Sequence, residues 1–384
     1  MSTILVTDAN RKNSLAIVRS LSKKGHNVYC AGNQKINKCF LSKHCKKKFV
    51  YHNPNENKNM FINDLLNIIK NYDIDILLPV SVDTTVAISY FKKRFEKHTI
   101  IPISDYDILI KAHNKESMLK IAEECHVSIP KTCCPSSQEE LIEIADTMQY
   151  PVVIKPRKSS ASRGVQYAQS KKELIKKYSL SNKKNETFDF THPLIQEYIP
   201  GEIHDVCLLC DNGKTIAGLT QRRIWTYPVN GGGGVINQTT QEPELMRLAT
   251  VLTKELKWNG VTQVEFKIDS RNNMPKLMEV NPKFWGTLEL SIAAGISFPD
   301  LLCKLALKEE MKELFEYQKN LNFIWVNAGL FSNFIQSENL LQTIKEFRKI
   351  RKDKHVTNLS IDDALPHLFI FYELYKSITR KLHP

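Results

Sequence analysis

The sequence predicts a small N-terminal α/β domain followed by a larger α+β region. A chain of 384 residues exceeds the size of one ordinary core, so two or three domains are expected. The composition, with 42% hydrophobic and 25% charged residues, is that of a globular protein. Strand and helix patterns alternate in the first hundred residues, which is typical of a parallel sheet, whereas later strand patterns also follow one another directly.

The N-terminal elements begin with a strand–helix–strand unit. An apolar, β-branched run at residues 3–7 predicts the first strand. Apolar residues then recur at helical spacing over residues 10–24 and stop at Gly25, and residues 26–31 predict the second strand. The rest of this unit is predicted as helices at 60–71 and 84–96 and strands at 74–79 and 98–102. No GxGxxG signature is present, so no dinucleotide is assigned to this domain.

The remaining chain mixes helices with consecutive strands. Residues 231–234 are four glycines and predict a flexible loop, and the polar turn SRNN at 270–273 predicts a hairpin between strands at 263–269 and 275–280. The other predicted strands are 152–155, 194–198, 204–210 and 214–220. The predicted helices are 114–125, 138–148, 243–256, 288–294 and 340–351.

Two segments have the residue types of a nucleotide site. Lys155 ends an apolar strand and is followed by a loop of small residues at 159–165, where backbone N–H groups can approach phosphate oxygens. In the run QEYIPG, Glu197 can accept a hydrogen bond from an adenine amino group while the backbone after it pairs with the ring edge. Each segment alone is a weak signal.

The predicted hairpin carries a set of hard oxygen ligands. Glu265 and Glu279 lie on its two strands, and Asn281 follows Glu279 by two residues and so shares its face. Two carboxylates and an amide oxygen are the ligands expected for magnesium ions that bridge nucleotide phosphates. The alternative is a solvated sheet face, which the apolar neighbours of both glutamates disfavour. Lys283 adds a positive charge beside this set.

In this order, the motifs resemble the ATP-grasp superfamily, specifically its carbamoyl-phosphate synthase large-chain and biotin carboxylase-like carboligase group. The motifs are the KP strand end with its Ser/Gly loop, QEYIPG, VEFK and MEVNPKFWG. The resemblance covers about residues 1–310. It implies a Rossmann-like pre-ATP-grasp domain at 1–107, a two-lobed ATP-grasp fold at 108–310 and a C-terminal helical tail at 311–384.

The resemblance also implies roles for individual residues. The implied nucleotide-binding residues are Lys115, Lys155, Ser160, Ser162, Arg163, Gly164, Glu197, Tyr198, Ile199 and Asp205. The implied ligands of Mg²⁺ or Mn²⁺ are Glu265, Glu279 and Asn281, and the implied catalytic cations are Arg222, Arg223 and Lys283. Asp205 stands where relatives usually have Glu, and Lys283 stands where they commonly have Arg.

The implied activity is ATP-dependent, ADP-forming ligation of a carboxylate and an amine through an acyl phosphate, so the expected partners are small molecules, at least one of them anionic. One alternative is a carbamoyl-phosphate-synthase-like enzyme acting on bicarbonate or carbamate, which a single ATP-grasp unit without a glutaminase segment disfavours. Another is a non-catalytic ATP-binding protein, which the complete set of metal ligands disfavours. The substrates are not readable from the sequence, and a homodimer stays open.

Charge and cysteine content bear on location and partners. The net charge of +13 comes mainly from residues 1–107, which carry +8. The basic run at 43–49 lacks interleaved aromatic residues, so a solvated face is preferred to a nucleic-acid site.

The apolar stretch at 365–375 is interpreted as docking onto the protein rather than onto a membrane. Nine cysteines without a secretion signal at the start predict a reduced, cytoplasmic protein.

Overall fold

The computed structural model describes residues 1–159, 163–181, 192–229, 231–369 and 372. Within these residues the strands form one parallel four-stranded sheet, one antiparallel four-stranded sheet and one seven-stranded sheet. The fold is therefore mixed α/β, as the sequence predicts.

The N-terminal sheet is parallel throughout, with strand order β3-β2-β1-β4. Its strands are β1 (Thr3–Val6), β2 (Asn27–Gly32), β3 (Lys47–Val50) and β4 (Ile76–Leu78). Its helices are α1 (Lys12–Lys23), α2 (Lys58–Asn71), α3 (Val82–Tyr90) and α4 (Lys92–Phe95), with a 3₁₀ turn at Lys38–Leu41. The strand predicted at 98–102 is reduced to a single bridge between Ile76 and Ile100.

The small antiparallel sheet follows two helices, α5 (Tyr106–His113) and α6 (Lys115–Glu124). Its strand order is β5-β8-β6-β7. The strands are β5 (Thr132–Cys133), β6 (Val152–Lys155), β7 (Gln166–Ala168) and β8 (Leu194–Glu197). Helices α7 (Gln138–Thr147) and α8 (Lys171–Ser181) cover it, and the apolar contacts between these helices and strands form a separate small core.

The seven-stranded sheet has the order β13-β12-β9-β10-β11-β14-β15. Its strands are β9 (Ile203–Asp211), β10 (Lys214–Tyr227), β11 (Gly233–Thr240), β12 (Gly260–Asp269), β13 (Met274–Asn281), β14 (Asn322–Ile324) and β15 (His355–Thr357). The later helices are α9 (Pro243–Glu255), α10 (Leu288–Ala293), α11 (Phe298–Ala306), α12 (Ala328–Ile335) and α13 (Leu340–Lys352). All pairs are antiparallel except β14 with β15.

One face of this sheet changes from apolar to polar along β9 and β10. Cys207 and Leu219 are fully buried in a core that also contains residues of the N-terminal sheet and α1. Two residues further along the same face of each strand, Asp205 and Gln221 replace the apolar side chains. The apolar part therefore holds the N-terminal sheet against the large sheet, and the polar part is left beside it.

Two predictions about loops and the tail were wrong. Gly233 and Gly234 are extended and pair with Tyr227 and Thr226, so the second half of the glycine run is the start of β11 and not a flexible loop. The segment after residue 311 is not a purely helical tail, because β14 and β15 add two strands to the large sheet. Each has only three residues, too short for a clear period-2 pattern.

The described part of the predicted C-terminal apolar stretch contacts the N-terminal sheet region. Leu365–Leu368 form a 3₁₀ turn and Phe369 is buried, whereas residues 370, 371 and 373–375 lie outside the described residues. Just before this turn, Asp363 accepts hydrogen bonds from Arg19 Nε at 2.8 Å and Ser42 Oγ at 2.7 Å. In the described ranges, no helix has the length and apolar content needed to cross a bilayer.

Candidate functional site

A cleft of about 730 Å³ lies where the three sheets meet, a volume within the usual range for ligand sites. Its walls include β6 and β8 on one side, β12 and β13 on another, and the start of α1 on a third. The sequence-predicted residues that line it are Lys115, Lys155, Glu197, Tyr198, Ile199, Arg223, Glu265, Glu279, Asn281 and Lys283. Most of the predicted site residues are therefore brought together in space.

The floor of the cleft is a ladder of polar side chains across β12 and β13. Glu265 lies directly opposite Glu279, and Gln263 lies directly opposite Asn281. Side chains of such pairs are about 5 Å apart at Cβ, and residues two apart on one strand share a face. Within this ladder, Asn281 Nδ2 donates to Glu279 Oε1 at 3.0 Å. Two carboxylates and an amide are thus concentrated on one small surface.

Glu279 is paired with the lysine at the start of α6. Lys115 Nζ lies 3.1 Å from Glu279 Oε2 and donates to the backbone oxygen of Ser159 at 3.2 Å. Burial alone would raise the pKa of Glu279, but Lys115, the hydrogen bond from Asn281 and the charge of Lys155 lower it to about 2. Glu279 is therefore a carboxylate across the physiological pH range.

Glu265 shares an arginine with a second, fully buried carboxylate. Arg223 Nη2 donates to Glu265 Oε2 and, at 2.7 Å, to Asp205 Oδ1, while Arg223 Nε donates to Asp205 Oδ2 at 3.1 Å. Burial works to lower the pKa of Arg223, but the two carboxylates outweigh it and raise the pKa above its ordinary value. Arg223 Nη1 also donates to Gly232 O at 3.0 Å, which ties the glycine run to this cluster.

Two further lysines face the cleft, and their positive charges are less well compensated by neighbouring groups. Lys155 Nζ donates to Gln196 Oε1 at 2.6 Å, a neutral partner. Burial, followed by the charge of Lys115, lowers the pKa of Lys155 to about 8. Burial, followed by the charge of Arg11, also lowers the pKa of Lys283 to about 8. Both lysines would be stabilised in the charged form by an anion placed between them.

The segment after β8 forms one rim of the cleft. Glu197 does not present a free carboxylate, because it accepts from Lys131 N at 2.8 Å and pairs with Arg271 at 3.2 Å. The buried Ile199 offers its carbonyl to Lys267 Nζ at 2.6 Å, and that ammonium group lies 4.9 Å from the ring centroid of Tyr198. The rim is thus a backbone edge with an exposed aromatic ring.

Gly201 fixes the approach of this rim to the large sheet. Its φ is +121°, and a Cβ at this position would lie 1.9 Å from the carbonyl oxygen of Ile268 on β12. Neither the backbone conformation nor the space admits another residue without movement. The glycine of QEYIPG therefore sets the distance between the rim and the floor of the cleft.

Two of the predicted site residues are not placed as predicted. Asp205 is fully buried beneath Arg223 and does not line the cleft; its carboxylate holds the arginine, and its contact with a ribose stays a prediction. Arg222 does not line the cleft, because neighbouring residues of a strand face opposite sides. It binds Gln238 Oε1 at 3.0 Å and Glu202 at 3.2 Å instead.

The predicted phosphate-covering loop is only partly described. Ser160 and Ser162 lie outside the described residues. Arg163 and Gly164 are described but do not line the cleft, whereas Ser159 before them and Val165 after them do.

The cleft also contains residues that the sequence analysis did not assign. Lys267 follows Glu265 by two on β12, a spacing that places it on the same face and could have revealed it. Arg11, Lys12 and Lys38 line the cleft from the N-terminal sheet, and no motif in the sequence indicates their proximity to β12 and β13. Only the tertiary packing brings them there.

The donors on β12 and β13 form part of a set of metal ligands. The described residues contain no cluster of three or more His, Cys, Asp or Glu side chains suited to a metal. The chemistry of the donor set still fits a hard cation, because Glu265, Glu279 and Asn281 supply two carboxylates and one amide oxygen on adjacent strands. Such an incomplete protein set is typical of Mg²⁺ bound together with substrate phosphates.

Comparison with known families identifies the class of domain. Residues 189–328 match the family model described as "ATP-grasp in the biosynthetic pathway with Ter operon". These residues are therefore similar to an ATP-grasp domain, as the motifs predict. It also has homologues among carbamoyl phosphate synthase large chains. The one from Pyrococcus furiosus is 27% identical over 53% of this chain and 19% of its own length. The one from Clostridium acetobutylicum is 23% identical over 72% of this chain and 26% of its own length. The chain thus spans about a quarter or less of these two relatives.

Solved structures agree on the fold. Biotin carboxylase from Campylobacter jejuni superposes with a TM-score of 0.69 and 16% identity, covering 84% of this chain and 74% of that one. The L-amino acid ligase from Bacillus licheniformis superposes with a TM-score of 0.61 and 14% identity, covering 80% of this chain and 74% of the ligase. At such identities these likenesses concern the fold alone.

Proposed function

We propose that the protein is an ATP-dependent, ADP-forming carboxylate–amine ligase that works through an acyl phosphate. One observation carries this proposal. Glu265, Glu279 and Asn281 line the same cleft as Lys115 and Lys155, which face them. Hard oxygen ligands that lie beside positive charges which the protein compensates only in part suit a nucleoside triphosphate and its metal ion. The ATP-grasp domain and its ligase-like structural neighbours support the same class.

The proposed division of the chain follows the cleft. We assign residues 1–107 to a pre-ATP-grasp domain, 108–310 to the two lobes of the ATP-grasp domain and 311–384 to a C-terminal extension. The rim after β8 would bind the adenine through the backbone of Tyr198 and Ile199, with the ring of Tyr198 beside the base. This role replaces the predicted hydrogen bond from the adenine amino group to the carboxylate of Glu197, which already accepts from Lys131 N.

Mg²⁺ or Mn²⁺ would be held by Glu265, Glu279 and Asn281. When bound, the metal ion would neutralise phosphate charge as the γ-phosphoryl group is transferred. Around it, Arg223 orients Glu265 and partly offsets the burial that raises its pKa, and Lys115 holds Glu279 in its ionised form. Lys115 would exchange part of its contact with Glu279 for phosphate oxygens when nucleotide binds.

The proposed reaction has two steps that balance. A carboxylate oxygen of the first substrate bonds to the γ-phosphorus and the bond to the β,γ-bridging oxygen breaks, which releases ADP. The amine then bonds to the acyl carbon, inorganic phosphate leaves with the former carboxylate oxygen, and the amine loses a proton. Lys155 and Lys283 would stabilise the negative charge on the transferring group. No covalent protein intermediate is required.

The experiment is ADP release by the purified protein with a panel of carboxylates, each with and without a panel of amines. Release that requires both a carboxylate and an amine supports the proposal. Release with bicarbonate alone supports a second candidate, a bicarbonate-activating enzyme, which the similarity to carbamoyl phosphate synthase large chains favours. Binding of ATP without turnover under every condition would contradict both.

A further inference from the structure

One end of the cleft holds three cations from the N-terminal sheet region that no part of the proposed reaction uses. We call this the cationic end, and it consists of Arg11, Lys12 and Lys38. Arg11 and Lys12 are at the start of α1, directly after the loop that leaves β1, and Lys38 begins a 3₁₀ turn after β2. All three therefore come from the carboxyl-terminal edge of the parallel sheet, the edge at which open α/β sheets place ligands.

The loop that leads into Arg11 and Lys12 is held in place by several hydrogen bonds. Asp8, which precedes it, has a φ of +55° and is largely buried. Its carboxylate accepts from Ser81 N at 2.8 Å and from Thr84 Oγ1 at 2.7 Å, and its backbone N–H donates to Tyr51 Oη at 3.0 Å. These contacts hold the loop to the neighbouring strand end and so pre-organise the position of Arg11.

The two ends of the cleft differ in how their cations are compensated. Lys115 is paired with Glu279, whereas none of the three residues of the cationic end forms an ion pair with a described carboxylate. Lys12 Nζ instead lies 4.3 Å from the ring centroid of Trp325, and its nearby acid, Glu289, accepts from the indole Nε1 of that residue at 2.7 Å. Burial, only partly offset by Glu289, lowers the pKa of Lys12 to about 8. The missing counter-charge must come from solvent or from a ligand.

Backbone donors add to this surface. The N-cap residue of α1, Arg11, makes no side-chain capping hydrogen bond, and the first turn of this 12-residue helix contains no acidic residue. The first N–H groups of a helix favour an anion, and here they lie beside three cations that form no ion pair with a described carboxylate. Gly286 and Thr287 close the opposite wall, and a Cβ on Gly286 would lie 3.6 Å from Lys12 Cε.

We propose that the cationic end binds an anionic group of the substrate that is remote from its reacting carboxylate, so that the substrate is a dicarboxylate or a phosphate monoester with a carboxylate. This inference rests on the proposed ligase function for its reacting end, but the anion site itself is defined by Arg11, Lys12 and Lys38 alone. Both substrate classes share the same recognition chemistry, an anion met by guanidinium, ammonium and helix N–H groups.

The test is calorimetric titration of the full chain with inorganic phosphate and, separately, with succinate. Each titration is done with the nucleotide site filled by a non-hydrolysable ATP analogue and Mg²⁺, and again without nucleotide. Wild-type protein should bind at least one probe at millimolar concentration, and the tighter probe distinguishes phosphate monoester from dicarboxylate. The double variant Arg11→Gln/Lys38→Gln should bind that probe at least about tenfold more weakly, because two charge-assisted contacts are lost.

The matched control is Lys23→Gln/Lys24→Gln, which removes the same charge at the exposed opposite end of α1. This control should bind the probe as the wild type does. If the double variant does not fold, Arg11→Gln alone makes the comparison, since Arg11 is exposed. Absence of binding of either probe to wild type, or equal affinity in the Arg11 variants, would overturn the inference. Anion binding that depends on Arg11 without any binding of the ATP analogue would instead overturn the proposed ligase function and leave the anion site standing.

Discussion

Glu265 and Glu279 lie directly opposite each other on adjacent antiparallel strands, yet each is paired with a different cation. Glu265 contacts Arg223 of β10, and Glu279 contacts Lys115 at the start of α6. Like charges that face each other across a strand pair repel, and the two cations from separate elements offset this repulsion. Both cations favour the ionised form of their partner, although burial still raises the pKa of Glu265, and a divalent metal ion between the two carboxylates would favour that form further.

Removal of Glu279 should abolish ADP formation. Both Glu279→Ala and the more conservative Glu279→Gln remove a proposed metal ligand, so ADP release should fall at least about a hundredfold in a coupled assay. Circular dichroism should show that the fold is kept. The control is Glu244→Ala, whose carboxylate is exposed on α9 and pairs with Arg247 one turn along the same helix. Near-normal turnover in both Glu279 variants would refute the metal assignment.

The adjacent arginines of β10 should behave differently. Arg223→Gln leaves Asp205 and Glu265 buried without their cation and should reduce the free energy of unfolding by about 3–5 kcal/mol. Arg222→Gln disrupts a half-exposed pair with Glu202, so a change of about 0–1 kcal/mol is expected. Urea denaturation measures both, and ADP release should be retained only in Arg222→Gln. Equal losses in the two variants would contradict the assignment of Arg223 to the cleft.

Nucleotide affinity should weaken as pH rises. Without ligand the pKa values of Lys155 and Lys283 are lowered to about 8, and phosphate oxygens nearby would raise them again. Binding above pH 8 must therefore take up protons, so affinity for an ATP analogue should fall at least about tenfold between pH 7 and pH 9.5. Calorimetry in buffers of different ionisation enthalpy measures the uptake.

The control for this pH effect is Lys155→Arg, because a guanidinium stays charged throughout the range and should flatten the dependence of affinity on pH.

The lowered pKa values also predict how the stability of the ligand-free protein changes with pH. Between about pH 8 and the ordinary lysine pKa of 10.5, the unfolded chain binds more protons than the folded one, so these two lysines should make the ligand-free protein more stable as pH rises. Nucleotide affinity that is unchanged from pH 7 to 9.5 would show that these lysines do not meet phosphate.

Gly201→Ala should damage the adenine rim more than a comparable glycine substitution elsewhere. A Cβ on Gly201 would lie 1.9 Å from Ile268 O, so the loss of unfolding free energy should exceed about 2 kcal/mol and the KM for ATP should rise. Gly295 has a similar φ of +107° but no atom within 4 Å of its Cβ position. Gly295→Ala should therefore show only the cost of the backbone conformation and an unchanged KM. Equal KM values would contradict the role of Gly201 in setting the rim.

Part of this site is predictable from the sequence for a clear reason. The sequence of the hairpin has apolar residues around each glutamate and a polar turn between the two strands. These signals predict two paired strands, and the structure contains β12 and β13 paired as predicted. Lys115 and Lys155 follow from the order of the motifs, and both line the cleft.

The rest depends on packing that a linear pattern does not contain. Which of Arg222 and Arg223 faces the cleft depends on the register of β10, and either register is compatible with the run QRRIWTY. The burial of Asp205 follows from Arg223 lying over it, and the approach of Lys38 follows from the docking of the N-terminal sheet. These are contacts between distant segments, so no local spacing signals them.

The most direct measurement of the central claim follows the oxygen atoms of the carboxylate substrate. The carboxylate that supports amine-dependent ADP release would be labelled with ¹⁸O on both oxygens, and the inorganic phosphate formed would be examined by ³¹P NMR. Formation of an acyl phosphate predicts that each phosphate released contains one ¹⁸O atom from the carboxylate. Phosphate without ¹⁸O, formed together with the amide product, would contradict transfer of the γ-phosphoryl group to the carboxylate in this cleft.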